Sequence, residues 1–441
     1  MTPSGDTPSG DTPPWTTVRS GRFSRFVQQA ASDGRLIVQP RMGFGPVSRM
    51  RAGLEAVRAA RCTTVGTITV DSYTRVNDHQ SARQALHAGD DLNGFPLVTH
   101  GAETTRQMLF GLADDDFPVQ VRHGSAIPDE LFAALVAAGA DATEGGPVSY
   151  CLPYSRVPLR EAVASWARCC ELLAGMDEPM HVESFGGCML GQLCPPGMLV
   201  ALTILEGLFF REHGLRDISL SYAQQTHPGQ DLEALAALRS LAGEWLGDLN
   251  WHVVLYTYMG VFPRTPVGAF RILEESARLA VRSGTERLIV KTQAEAMRIP
   301  SIGENVAALE FAAAVAEDEA SRAPVPPPSD TGILDEARLL ITTTLQLGSD
   351  VGSALLEAFA SGHLDVPFCL HRDNANRARA RIDHRGQLVW SDTGALPLTG
   401  TYQDECTAQR LTARGLVDML GYNERRFDRE QLVGSPVRRL L

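Results

Sequence analysis

The stretch DISLSYAQQTHPGQDLEALAALRSLAGEWLGDLNWHVVLYTY, residues 217–258, reads as one strand–helix–strand unit. DISLSYAQ (217–224) and WHVVLYTY (251–258) are apolar runs of strand length, rich in β-branched and aromatic residues. Between them, DLEALAALRSLAGEWLG (231–247) repeats Leu and Ala at helical spacing. A strand, a crossing helix and a second strand imply parallel pairing.

The same alternation extends in both directions. Short strand-like runs occur at RLIVQPR (35–41), TTVGTITV (63–70), FPLVTHG (95–101), FPVQVRHG (117–124), ADATEGG (140–146), MHVESFGG (180–187) and RLIVKT (287–292). Helical stretches such as PDELFAALVAAG (128–139) and PPGMLVALTILEGLFFREHG (195–214) separate them. Eight such units close a TIM-type (β/α)8 barrel. The sequence offers nine candidates, so one is an extra strand or no strand. An open doubly wound sheet is the alternative, but no GxGxxG follows the first strand. The expected fold class is therefore α/β, with the barrel over residues 16–322. MTPSGDTPSGDTPP repeats TPSGD and predicts a disordered tail over 1–15. APVPPPSDTG (323–332) predicts a linker, and 333–441 a smaller C-terminal lobe.

Composition narrows the function. A net charge of −12 argues against a nucleic-acid surface. No apolar run is long enough to span a membrane and no signal peptide opens the chain, so a cytoplasmic protein with no membrane partner is expected. The eight cysteines form no CxxC and no paired zinc spacing, which fits a reduced compartment and no metal site.

Barrel active sites lie at the carboxyl ends of the strands. The polar residues expected there are Arg41, Arg75, Arg122 with His123 beside it, Glu144, Glu183 and Lys291. Three guanidinium forks at one mouth suit a ligand with two carboxylates, or a phosphate. The plainer reading, that each arginine pairs with an acid on a neighbouring strand, holds for any one of them alone. Glu144 fits as the partner of a cationic group on the same ligand, which makes that ligand an acidic amino acid. Tyr150 and Tyr154 offer hydroxyl donors, although two tyrosines four apart are also ordinary packing residues.

Lys291 is the only lysine among 40 Lys and Arg residues. Genomic bias toward arginine is the plain explanation of its isolation. Thr292 and Glu295 fit a T-x-x-E capping box at a helix start, or Lys291 and Glu295 together hold a polar ligand. A lone lysine at a barrel strand end also suits a Schiff-base nucleophile.

QPRMG (39–43), TVDSYTR (69–75), LNGFP (92–96), QVRHG (120–124), EGGPVSYCLPYSR (144–156), MGVFP (259–263) and IVKTQAEAMRIP (289–300) occur in this order. Together with the PP-led helix at 195–214, they resemble the large epsilon subunit of adenosylcobalamin-dependent glutamate mutase, or methylaspartate mutase, over roughly residues 35–370. The resemblance implies a radical carbon-skeleton isomerase interconverting L-glutamate and threo-3-methylaspartate. It implies that Arg41, Arg75 and Arg122 hold the substrate carboxylates, Glu144 its amino group, and that Tyr150, Tyr154 and His123 complete the substrate site. It implies cofactor contacts from Lys291, Glu295, Gly43, Asn93, Pro153, Phe262 and Ile299. The D-x-H-x-x-G motif that ligates cobalt in that family is absent here; His79 and His384 each follow an Asp directly. A separate small subunit is therefore expected to carry it, in an assembly of two large and two small chains. Tyr256, where the family pattern has a histidine, and the segments 222–235 and 371–386 depart from the pattern. A paralogous mutase acting on a glutamate analogue, a Schiff-base lyase built on Lys291 and a non-catalytic paralogue are the competing readings.

Overall fold

The computed structural model describes residues 20–189, 193–322, 328, 330–398 and 411–429. The predicted tail at 1–15 and most of the predicted linker lie outside the described residues.

Eight strands form one parallel sheet: β1 Ile37–Pro40, β2 Gly66–Thr69, β3 Val119–Arg122, β4 Ala142–Gly145, β5 His181–Ser184, β6 Asp217–Ala223, β7 Asn250–Tyr256 and β8 Arg287–Val290. Each pairs with its sequence neighbour from β2 through β8, and β8 returns to β1 with Ile37 opposite Arg287. Two backbone bonds bridge the remaining seam: Val38 N–H donates to Thr63 at 3.0 Å and Thr69 N–H to Met42 at 2.8 Å. The seam is tight enough to dictate a residue. A Cβ on Gly43 would collide with the Thr69 carbonyl oxygen. Gly43 thus has a steric reason to be glycine, whatever its contact with a ligand.

The (β/α)8 expectation holds, with one candidate strand corrected. FPLVTHG contributes only an isolated parallel bridge between Phe95 and Val70, then turns into the helix Leu97–His100. Pro96 has no N–H for a ladder, and Gly101 at φ +85 ends the turn. The expected helices appear at Asp129–Ala138, Pro196–Glu212 and Pro228–Trp245. The last starts three residues before the periodic run. Pro228 takes the first position and the His227 ring accepts from Gln230 N–H at 3.1 Å.

A second correction concerns Thr292 and Glu295. No helix begins there. The capping box falls at Ser301 and Glu304, opening the helix Ile302–Ala320. This leaves Glu295 in a turn, free to face Arg41 and Lys291.

The amphipathic helix Arg22–Ser32 lies at the amino-terminal ends of the strands. Its Phe23 and Val27 pack with Ile37, Val65 and Ala142. Above that plug the barrel interior is polar. Gln39, Thr67, Gln120, Glu183, Ser219, His252 and Arg287 are all buried and joined to one another. Glu183 was expected among the mouth residues, but it lies inside the barrel, paired with Arg287 and fully buried. β-strand alternation points it into the lumen one layer below the mouth.

Beyond residue 333, the helix Ile333–Leu345 shares the main core with Pro196–Glu212. Strands β9 Arg379–Ile382 and β10 Leu388–Asp392 form an antiparallel hairpin, tied back by Trp390 Nε1–H donating to Glu336 Oε1 at 3.0 Å. The helix Tyr422–Arg429 crosses the loops after β6 and β7. Asp428 accepts from the N–H of Arg264 and Thr265, at 3.1 and 3.2 Å, and Asn423 donates to Gln225 O at 2.9 Å. The C-terminal segment therefore braces the same end of the barrel that carries the expected site.

Candidate active site

Seven residues named from the sequence line one cavity of about 320 Å³ at the carboxyl ends of the strands: Arg41, Arg75, Arg122, His123, Glu144, Tyr150 and Tyr154. Arg41 follows β1, Arg122 ends β3 and Glu144 lies in β4. Arg75 sits in the short helix Ser72–Arg75, whose start is capped by the Asp71 carboxylate accepting from Tyr73 and Thr74 N–H. Tyr150 and Tyr154 come from the loop after β4. Gly145, at φ +132, lets that loop turn back; a side chain there would strike Trp166 and Tyr150.

The three arginines differ in their partners. Arg122 Nε donates to Glu144 Oε2 at 2.6 Å, and both residues are buried. Arg41 reaches Glu295 Oε2 at 3.4 Å. Arg75 has no ion pair among the described residues. Its Nη2 donates to Val70 O at 3.3 Å, while its buried Nε makes no hydrogen bond among those residues. Burial, and then the neighbouring Arg41 and Arg122, lower its pKa despite Tyr150 and Glu144 nearby. The plainer expectation, a carboxylate for every arginine, thus fails at Arg75.

His123 stacks on Trp166 and accepts from Ser125 N–H through Nδ1 at 3.2 Å. Burial, reinforced by Arg75, pushes its pKa down to about 3. The ring is neutral at pH 7, and the proton falls on Nε2. Among the described residues that N–H is buried without a partner. Arg41 Nε, Arg75 Nε and Thr69 Oγ1 are unpartnered in the same way. Four buried polar atoms around one cavity would each cost free energy unless a ligand satisfied them.

The positions expected to contact a cofactor lie outside this lining, on turns after β1 (Gly43), β2 (Asn93), β4 (Pro153), β7 (Phe262) and β8 (Lys291, Glu295, Ile299). Lys291 Nζ lies 3.8 Å from Glu295 Oε2 and 5.1 Å from the centre of the Phe262 ring. Burial lowers the ammonium to about 8, against the pull of Glu295. Asn93 Oδ1 accepts from Ser72 N–H at 2.9 Å. Ile299, Val261, Met297 and Tyr154 leave large apolar surfaces exposed.

Sequence reasoning did not name Tyr256, the last residue of β7, as a site residue. Its phenol bonds Glu144 and Glu183 and accepts from Arg122. It lies near the end of the run WHVVLYTY, where strand-end position and its departure from the family's histidine were the available signals.

Behind the site, Glu206 fixes the Tyr150 loop by accepting from Val148 N–H, Ser149 N–H, Ser149 Oγ and Ser184 Oγ. Burial pushes its carboxyl up to about 7 from 4.5. The folded form holds its proton more tightly than the unfolded chain, so this contribution to stability is full below about 4.5 and is lost as pH rises through about 7. Asp231 and Glu336 are shifted the same way, also to about 7. Melting temperature should therefore fall across this window, with a shallower fall in Glu206→Gln. Identical slopes in thermal melts of the two proteins would contradict this.

Fold and site define a (β/α)8-barrel protein whose mouth holds four cationic side chains against two carboxylates. The chain matches the family described as methylaspartate mutase E chain over residues 18–425 and belongs to that family. It is 31% identical to the glutamate mutase epsilon subunit of Escherichia coli over 86% of this chain and 81% of that one. It is 29% identical to that of Yersinia enterocolitica, covering 96% and 92%, and 31% identical to that of Haloarcula marismortui, covering 78% and 73%.

Proposed function

We propose that this chain is the large catalytic subunit of an adenosylcobalamin-dependent mutase, an isomerase that interconverts L-glutamate and threo-3-methylaspartate. The observation that carries this reading is the unpaired Arg75 guanidinium beside Arg41 and Arg122. With Lys291, the mouth carries four cations against Glu144 and Glu295, an excess of two that L-glutamate, with two carboxylates and one ammonium, lowers to one. Arg41, Arg75 and Arg122 clamp the carboxylates, Glu144 takes the ammonium, and Tyr150, Tyr154 and the His123 Nε2–H complete the hydrogen bonds. A neutral histidine donates there without adding to the positive charge.

The exposed apolar rim at Tyr154, Val261, Met297 and Ile299 fits a large, flat, largely apolar cofactor face. The buried Lys291–Glu295 pair fits a polar end reaching inward. Gly43, Asn93, Pro153, Phe262, Lys291, Glu295 and Ile299 would hold the group. Adenosylcobalamin, when bound, supplies the hydrogen-abstracting radical chemistry. The protein's task is to fix the substrate, hold its charges and exclude water. The cobalt ligand comes from a small partner subunit bearing D-x-H-x-x-G, in a cytoplasmic assembly of two large and two small chains. No helix among the described residues is long and apolar enough to cross a membrane.

Lys291 is lysine on this reading because a compact ammonium fits beside a ribose where a planar guanidinium would crowd it. Lys291→Arg should weaken cofactor binding at least tenfold, about 1.4 kcal/mol, measured by titrating the assembled enzyme. Unchanged affinity and turnover would remove this account of the lone lysine.

The test is proton NMR of L-glutamate kept in the dark with the chain, adenosylcobalamin and a small subunit proven on an established large subunit. A new methyl doublet from 3-methylaspartate is expected. Its absence with the cognate small subunit as well would overturn the glutamate assignment, and repetition with glutamate analogues would test a paralogous mutase. One observation favours a second reading. The lowered Lys291 ammonium at a strand end is suited to Schiff-base chemistry. Borohydride trapping of a carbonyl substrate on Lys291, with no need for cobalamin, would establish it.

A further inference from the structure

Tyr256 sits where the mouth meets the sealed interior. Its phenol oxygen lies 2.9 Å from Glu144 Oε2 and within hydrogen-bond reach of Glu183 Oε1. Arg122 Nη2 donates to the same oxygen at 3.3 Å, and the guanidinium lies 5.1 Å from the ring centre. The ring is fully buried and meets Phe185 edge-on.

A phenol has one proton to give. It serves Glu144 or Glu183, not both at once. Their needs differ. Glu183 Oε2 accepts from Arg287, Gln120 and Ser219. Glu183 Oε1 has Tyr256 as its one hydrogen-bond donor among the described residues. Glu144 Oε2 also accepts from Arg122, and its Oε1 from Tyr150. Glu144 can therefore spare the phenol when another donor arrives, whereas Glu183 cannot be left without one in a dry interior.

We propose that Tyr256 is a positioning residue whose single proton stays on Glu183, so that the Glu144 oxygen facing the phenol is reserved for a ligand's cationic group. This placement keeps a lone pair on Glu144 open to that cation and leaves no interior oxygen of Glu183 bare. On the function proposed above, the cation is the substrate ammonium; the placement of the proton on Glu183 does not depend on that reading. The titratable and charged groups facing Tyr256 are Arg122 on β3, Glu144 on β4, Tyr150 behind it, Glu183 on β5, Cys188 in the turn that follows, and Arg287 on β8.

Without the hydroxyl, Glu183 Oε1 faces the Glu144 carboxylate with no donor between them. Two buried carboxylates so close share a proton taken from solvent. That proton must leave again when an ammonium binds Glu144.

The experiment uses the full chain, as wild type, Tyr256→Phe and Tyr256→His. Infrared difference spectra of each variant against wild type at neutral pH, which cancel the bands of Glu206, Asp231 and Glu336, look for an added protonated carboxyl band. Calorimetric titrations with L-glutamate and with glutarate, the same diacid without the amine, are run in buffers of different ionisation heat to count protons. Tyr256→Phe should gain the band and release about one proton per L-glutamate bound, and none per glutarate. Tyr256→His, which keeps a ring N–H donor, should add no band, and neither it nor wild type should release a proton on binding. No band in Tyr256→Phe, or a band in Tyr256→His as well, overturns the placement of the proton on Glu183. A band without proton release on L-glutamate binding overturns the reservation of Glu144 for the cation. Wild type that binds neither ligand would overturn the substrate assignment, and the infrared result alone would then decide the role of Tyr256.

Discussion

Replacing Arg287 by methionine should lower the free energy of unfolding by about 3–5 kcal/mol, the usual cost of stranding one member of a buried ion pair. Arg287 is fully buried inside the barrel. Its guanidinium donates to Glu183, to Gln39 Oε1 at 2.6 Å, to His252 Nε2 at 2.8 Å and to Ser219 Oγ at 2.9 Å. His252 can accept because burial and the adjacent Arg287 keep its pKa well below the usual value. Methionine fills similar space but satisfies none of these groups, and Glu183 keeps its charge in a dry interior. The double variant Arg287→Met/Glu183→Gln removes that charge and should recover about half of the loss or more. Urea denaturation midpoints of the three proteins measure this. Equal losses in the single and double variants would show that packing, not the stranded carboxylate, sets the cost.

Arg75→Met should separate stability from function. Arg75 is mostly buried beside Arg41 and Arg122 and has no carboxylate of its own among the described residues. Removing it relieves desolvation and like-charge repulsion, so the melting temperature should hold or rise. The substrate would lose a charge-assisted bond worth about 2–5 kcal/mol, so kcat/KM of the assembled enzyme should fall by roughly two to three orders of magnitude. Arg122→Met, by contrast, strands Glu144 and should lose both properties. A clear drop in stability for Arg75→Met would make Arg75 a structural residue and remove the main support for a dicarboxylate ligand.

The barrel was legible because strand and helix periods differ, and the alternation repeats through residues 35–292. FPLVTHG looked like a strand because its apolar residues are real core residues: Phe95 and Leu97 are fully buried. Burial alone does not distinguish a strand from a tight helical turn, and only the pairing of β2 with β3 shows that no slot exists between them. T-x-x-E at Thr292 misled for a similar reason. A capping box is a local pattern, and the turn after β8 is held by Glu295 facing Arg41 and Lys291 across the mouth.

By itself, the sequence determined the strand–helix alternation, the end of the barrel where polar residues gather, and the residue types gathered there, because these follow from local periodicity and strand direction. Tertiary structure decided the pairing. Arg122 has Glu144, Arg41 has Glu295, and Arg75 has no carboxylate among the described residues; Glu183 belongs to Arg287 inside the barrel; Tyr256 bridges the two layers. The physical reason is that Coulomb and hydrogen-bond energies depend on separations of a few ångströms between residues up to 254 positions apart in the chain. Only closure of the barrel sets those separations.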